Sequence, residues 1–326
     1  MPIAKESYFT REHYEKASGF ANPALAELVV HCLELVAELW KSGLSFRFKG
    51  GNSLLLILPQ PERFSIDVDI VTEASRAELN QIMTEIVSPA RSSVFKRFEV
   101  RPHKTKPWLP MISFNLHFNS LYQSEEDAFV MLDAVLENAP YPGVMRPLVC
   151  GDIYAADLQI ETPSTSGLIG DKLLTLGPAT LGIPLGKGKE AQRLKHIFDV
   201  STLLRGEYDL ALVREAIDAC VKQENALQQK SCVFPDVRED TLSFLAQTQG
   251  LNDELCTQAA NEERNVMGAK YATPGEYLAA CRREILQGFH EFAAHLFRTK
   301  YSWQRLAEDA ASITALLEKF ANMNVL

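Results

Sequence analysis

At 326 residues, 46% of them hydrophobic and 23% charged, the chain has enough apolar material for two globular domains. It contains no run of about 18 apolar residues and its start lacks the basic, apolar, small-residue order of a leader, so neither a membrane span nor a signal peptide is expected and the cytoplasm is the expected location. A net charge of −9 disfavours general coating of nucleic acid but leaves room for a local basic groove.

In chain order, Asn22 followed by Pro23 makes an N-cap and first helical residue, and apolar spacing over 25–40 predicts a helix ending near Gly43. A short strand over 46–49 runs into Gly50-Gly51, a helical turn over 52–58 is stopped by Pro59 and Pro61, and 64–71 reads as a strand. A helix over 75–87 starts at Ser75 with Glu78 as its capping partner. Strands are predicted at 94–100, 111–118 and 129–136. The segment Pro140-Tyr141-Pro142-Gly143 reads as a boundary; beyond it one extended piece at 157–161 precedes helices over 164–176, 190–204, 209–222, 274–297 and 303–320. The expectation is an α+β protein, with a mixed-sheet domain over 1–145 and a mostly helical domain over 146–326. The cysteines are scattered without a C-x-x-C pair and the histidines form no H-E-x-x-H, which argues against zinc sites and a disulfide scaffold.

The chemistry concentrates between Lys49 and Ile70. In a strand, residues two apart share a face, so Asp67 and Asp69 project together inside an otherwise apolar segment. Two adjacent carboxylates repel, and they persist best when exposed or when a cation lies between them. The diglycine before them suits a turn whose N–H groups face a phosphate. Each feature alone has a bland reading, a tight turn and a solvated edge strand. Together with Asp133, a lone acid in the apolar run 129–136, they form the minimal set for a metal-bound nucleoside triphosphate, because Mg²⁺ takes carboxylate and phosphate oxygens.

The order G-G, D-x-D, then an apolar strand carrying one aspartate resembles the nucleotidyltransferase fold of the DNA polymerase β type. More narrowly, Lys49, Gly50, Gly51, Leu54, Arg63, Phe64, Ser65, Asp67 and Asp69 resemble the K-G-G-x-x-L and R-F-S-x-D-x-D strings of the AbiEii/AbiGii toxin family, nucleotidyltransferase-like toxins of abortive-infection and toxin–antitoxin systems. Lys172 in G-D-K-L-L-T-L and Asp199 in R-L-K-H-I-F-D-V match the family's later lysine and aspartate helices. The likeness spans about residues 20–205. It departs where Asn52 and Ser53 follow the glycines instead of a small hydroxyl residue, and where Lys195-His196 stands in place of Arg-Asp.

The resemblance implies transfer of a nucleoside monophosphate from an NTP to an acceptor hydroxyl. Asp67, Asp69 and Asp133 would hold Mg²⁺ or Mn²⁺, and Lys49, Gly50, Gly51, Ser53, Arg63 and Asp199 would serve the nucleotide. Lys172 would stabilise departing pyrophosphate, with Asp199 orienting it or pairing instead with Arg193 or Arg205. A tRNA 3′ end is the implied acceptor and an antitoxin the implied partner. A cationic small molecule of the aminoglycoside kind is the alternative acceptor, and a non-catalytic nucleotide-binding module is a third reading. The stretch 91–106, six Lys or Arg against one Glu, is a candidate grip on RNA, with a solvated hairpin as its plain alternative. The loop 177–189 does not fit a Walker A motif and is expected as a mobile basic segment over substrate.

Overall fold

The computed structural model describes residues 2–91, 93–101, 109–123, 128–261 and 271–323. The basic stripe at 91–106 therefore lies in part, at 92 and 102–106, outside the described residues. The chain forms two compact units, the first reaching to Ser164 and including His295–Thr299, the second built from Thr165–Ala294 and the residues from Lys300 onward.

In the first unit, helix α1 (Arg11–Ser18) is capped by the Thr10 hydroxyl. Helix α2 (Pro23–Lys41) follows, with Asn22 accepting from the Ala24 N–H and Pro23 preset for the first turn. Strand β1 (Arg47–Lys49), the short helix α3 (Leu54–Ile57) and strand β2 (Asp67–Val71) come next. Helix α4 (Arg76–Ile86) begins where Ser75 accepts from the Glu78 N–H at 3.1 Å. Strands β3 (Phe95–Arg101), β4 (Met111–Phe118) and β5 (Phe129–Val135) complete a five-stranded sheet of order β1-β2-β5-β4-β3. Only the β2–β5 pair is parallel; the other neighbours run antiparallel.

Alternation decides what each sheet face does. Val68, Ile70, Leu132, Ala134, Phe114 and Leu116 are fully buried with Val29, Val30 and Leu33 of α2 in one apolar core. Each large apolar side chain there contributes roughly 1.5–3 kcal/mol by leaving water. Their polar neighbours in sequence, Asp67, Asp69, Asp133, Ser113 and Asn115, consequently share the opposite face.

Strands β6 (Gly143–Cys150) and β7 (Tyr154–Pro163) form a separate antiparallel hairpin. It belongs to the first unit, so the division falls after Ser164 and not at residue 145. The prolines and Gly143 that read as a linker lead into a strand, and Pro147 is tolerated there because a two-stranded sheet leaves an unpaired side.

The second unit holds helices α5 (Thr165–Leu173), α6 (Glu190–Leu204), α7 (Leu210–Gln228), α8 (Phe234–Leu245), α9 (Asp253–Asn261), α10 (Pro274–Ala293) and α11 (Trp303–Met323). Helix α6 packs on α5, α10 and α11, and α5 packs on α7. The expected mobile loop before α6 is instead strapped down. Asp240 of α8 accepts from the Ala179 and Thr180 N–H groups at 2.9 and 2.8 Å and from the Thr180 hydroxyl at 2.9 Å. Buried Arg193 donates to the carbonyls of Ile183 and Pro184 and pairs with Glu284, which also receives the Gly186 N–H. Charged groups bonded to main chain hold a loop more firmly than neutral ones.

Among the described residues no single helix is long and apolar enough to cross a membrane. The bent pair α1 and α2 passes only by joint length and composition, and most of α2 lies in the core.

Candidate active site

The turn between β1 and α3 is shaped by what surrounds its glycines. Gly50 has φ +73°, a conformation that L side chains disfavour, and a Cβ placed on it would lie 1.9 Å from Asp69 Oδ2. A Cβ on Gly51 would stand 2.7 Å from the Arg63 guanidinium and 2.7 Å from Ser65 Oγ. The diglycine and the R-F-S-x-D-x-D string, separated in sequence, therefore meet at one point.

Arg63 and Phe64 are held there by a second strand-like segment. The Phe64 N–H donates to the His295 carbonyl at 2.9 Å and the Phe297 N–H donates to the Glu62 carbonyl at 3.0 Å. Phe64 stacks on Phe297 with ring centroids 4.1 Å apart. Arg63 is itself buried and donates to the Phe64 carbonyl at 2.9 Å, which aims the rest of its guanidinium at the turn.

Strand pairing gathers the carboxylates. Lys49 of β1 lies opposite Asp69, Asp69 opposite Asp133 of β5, Asp133 opposite Ser113 of β4, and Ser113 opposite Arg101 of β3. Paired residues share a face, so this row crosses the whole sheet, with adjacent members about 5 Å apart at the backbone. Asp67 stands two residues along from Asp69 on the same face, and Asp67, Asp69 and Asp133 are all partly exposed. The Ser113 hydroxyl donates to Asp133 Oδ1. Beneath the D-x-D, burial and then the charges of Asp67 and Asp69 push the Cys32 thiol well above its ordinary value, so Cys32 is a neutral wall residue.

Two expected assignments change. Ser53 is fully buried and its hydroxyl donates to the Gly50 carbonyl at 2.9 Å. A hydroxyl has one proton to donate, so Ser53 closes the turn from within and does not reach toward a phosphate in this arrangement. Asn52 is fully buried too, which leaves backbone N–H groups, with Lys49 and Arg63, as the donors near the turn. Secondly, among the described residues no group of three or more His, Cys, Asp or Glu forms a set that could hold a metal ion. The expected Asp67, Asp69 and Asp133 trio is an in-register row and not a closed cage. That row still fits Mg²⁺ or Mn²⁺, because these hard cations are ordinarily held by one or two carboxylates plus substrate phosphates, and Asp69 and Asp133 stand in register with Asp67 two residues along.

In the helical unit, Lys172 of α5 donates to Asp199 Oδ2 of α6 at 2.7 Å, and both side chains are buried. Arg193 and Arg205 pair with Glu284 and Asp309, while Asp199 accepts from the lysine.

Ser113, Asn115 and His117 were not singled out from the sequence. The available signal was the polar alternation between Phe114, Leu116 and Phe118 on a central strand, where an ordinary two-sided core would be apolar throughout.

Comparison with known proteins bears on the family and the fold. The family model for the nucleotidyl transferase AbiEii toxin of type IV toxin–antitoxin systems matches residues 35–264, more than half of the chain. No curated protein matches. Among solved structures, MenT4, a nucleotidyltransferase toxin from Mycobacterium tuberculosis H37Rv, is similar over 94% of this chain and 99% of its own, at 15% identity and a TM-score of 0.53, a likeness of fold. An antigenic nucleotidyltransferase-like protein from Paracoccidioides brasiliensis covers 68% of this chain and 93% of its own at 12% identity, with a TM-score of 0.37 too low to bear on the fold.

Proposed function

The chain belongs to the nucleotidyl transferase AbiEii toxin family, and from that premise we propose that it moves a nucleoside monophosphate from an NTP to an acceptor hydroxyl with release of pyrophosphate. The observation that supports this reading is the juxtaposition of the diglycine turn with Asp69, in register with Asp133 and on one face with Asp67. The proposed acceptor is a tRNA 3′ end, the setting is the cytoplasm, and a cognate antitoxin restrains the activity.

Asp67 and Asp69 would hold the divalent cation, whose charge would offset that of the phosphates when bound. The Gly50 and Gly51 backbone with Lys49 and Arg63 orients the triphosphate, and orientation alone removes much of the barrier to a two-substrate reaction. Asp133 accepts the proton of the incoming hydroxyl, and the Ser113 bond to its Oδ1 leaves Oδ2 for that task. By the family resemblance Lys172, which donates to Asp199, would support the leaving pyrophosphate.

The test is incubation with each labelled NTP, Mg²⁺ and total tRNA, alongside an aminoglycoside in place of RNA. Label is expected on RNA and lost by at least about a hundredfold in Asp67→Ala with unchanged melting. Label on the aminoglycoside alone, or full transfer by Asp67→Ala, overturns the reading.

A further inference from the structure

The polar face does not end at the acids. Beyond Asp133 it continues over β4 and β3, where Asn115 pairs with Glu99 and His117 with Arg97, while Arg101 closes the acid row itself. His117 is only 4% exposed, yet neither ring nitrogen has a hydrogen-bond partner, and the nearest charged oxygen, Glu99 Oε1, is 3.6 Å from Nε2. Asn115 Oδ1 is likewise buried without a partner. Buried polar atoms left unbonded are rare because each forfeits its hydration, and they call for a ligand or water. Burial, and then the neighbouring Arg97 charge, hold the His117 imidazole below its ordinary value, so it is a neutral ring able to donate at one nitrogen and accept at the other.

Topology fixes which substrate reaches this region. The diglycine turn lies on the β1 side of the acids, whereas β4 and β3 lie on the other. In an in-line displacement the attacking and leaving oxygens stand on opposite sides of the phosphorus. With the triphosphate on the turn, the acceptor arrives over β4 and β3.

Resting on the nucleotidyltransferase reading above, we propose that Arg97, Asn115, Arg101, His117 and Phe129 form the acceptor subsite, and that it takes the single-stranded 3′ end of a nucleic acid. Arg101 is about 10 Å from Asp133 across two strand spacings, and Arg97 and His117 lie about 13 Å along from the acid row, too far for either to touch the reacting hydroxyl. They therefore meet the strand behind it. Arg97 and Arg101 answer backbone phosphates. Arg97 is now paired with Glu99, and with side chains 47% and 55% exposed such a surface pair is weak enough for a phosphate to displace. Its departure uncovers His117. The Phe129 ring, partly exposed on the same face and 5.5 Å from that imidazole, supplies a stacking surface for an unpaired base.

The test uses a fluorescein-labelled ten-nucleotide single-stranded RNA and its DNA counterpart as probes, with the full chain. Wild-type protein is expected to bind, and R97A/R101A to bind about tenfold more weakly with a salt slope smaller by about 1.4. H117A is expected to raise the acceptor KM about tenfold while kcat and the NTP KM hold; because His117 is buried, the exposed arginine pair keeps the proposal testable if that variant does not fold. Preference for RNA over DNA identifies a sugar-reading site, and equal binding identifies a strand site blind to the sugar; both support the subsite. No binding by wild-type protein, or binding and acceptor KM unchanged in R97A/R101A, overturns it. Strand binding that maps to this face without transfer from any NTP instead overturns the enzymatic reading and leaves the subsite standing. Transfer with an unaltered acceptor KM in the arginine variant does the reverse.

Discussion

Gly50 meets a positive φ and the Asp69 carboxylate together, whereas Gly188, at φ +64°, has nothing within 4 Å of a built Cβ. The pair separates backbone strain from collision. Gly188→Ala is expected to lose about 1 kcal/mol in a urea melt and to keep full transfer, since only its φ is strained. Gly50→Ala has the same strain and must also push Asp69 off the turn, so its transfer rate should fall by at least about a hundredfold. Equal rates in the two variants would show that Asp69 need not touch the turn. The Lys172–Asp199 pair allows a similar separation. Removing one partner strands a buried charge, about 3–5 kcal/mol, while Lys172→Met with Asp199→Leu leaves none and is expected to restore most of the melting temperature. Transfer should stay lost in the double variant. A stable double variant with wild-type transfer would reduce the pair to structure.

Helix α2 works at the next scale, as a buried rod whose acids pin neighbouring segments. Glu27 receives the Ser120 hydroxyl and the Leu121 N–H, Glu34 receives the Ala4 N–H and the Tyr154 hydroxyl, and Glu38 pairs with Arg91. His31 lies among them, stacked on Phe118 at 3.7 Å, and burial pushes it down to about 4 from an ordinary 6.5. Between those values the unfolded chain binds a proton that the folded chain does not, so His31 makes stability rise with pH across that window and be lost as pH falls through it. The difference amounts to about 3 kcal/mol. Burial raises the Glu34 carboxyl, which acts with the opposite sign above its unfolded value and offsets part of the slope. The difference between wild type and His31→Gln in urea melts from pH 7 to pH 4 isolates the histidine, and the variant should show the shallower acid limb. The Asp240 strap is a second element-scale feature. Asp240→Ala frees the Ala179 and Thr180 N–H groups and is expected to destabilise by about 2–3 kcal/mol and to open the lysine-bearing loop to trypsin at Lys187 and Lys189. Unchanged cleavage there would mean that Arg193 and Glu284 suffice.

For the whole molecule, the proposed reaction on an acid row that forms no three-ligand metal set among the described residues predicts that cation and nucleotide bind interdependently. Mg²⁺ with NTP at about a hundred times Kd is expected to stabilise the fold by about 2.7 kcal/mol, read as a rise in melting temperature. Neither alone should do so fully, EDTA should abolish transfer, and Asp67→Ala with Asp69→Ala should remove the shift. A full shift with NTP in EDTA would place nucleotide affinity in Lys49 and Arg63 without the cation. The net charge of −9 makes acceptor binding depend on local cations, so strand affinity should fall steeply with salt even though the protein as a whole repels nucleic acid.

The period-2 alternation around Asp67 and Asp69, the Asn22-Pro23 and Ser75 caps, and the long amphipathic helices were legible in the residues because each signal is local, written within one or two turns of chain. Hairpin β6–β7 was half hidden by its prolines, and helix α1, eight mostly polar residues, is too short to stand out as a helix. By itself the sequence determined the α+β class and the family strings. Tertiary structure alone decided that Asp69 stands level with Asp133, that Gly50 and Gly51 abut Asp69 and Arg63, that Ser53 turns inward, and that Asp199 accepts from Lys172. Strand register and charge pairing depend on segments far apart in the chain, and a one-residue slip would send every carboxylate to the opposite face.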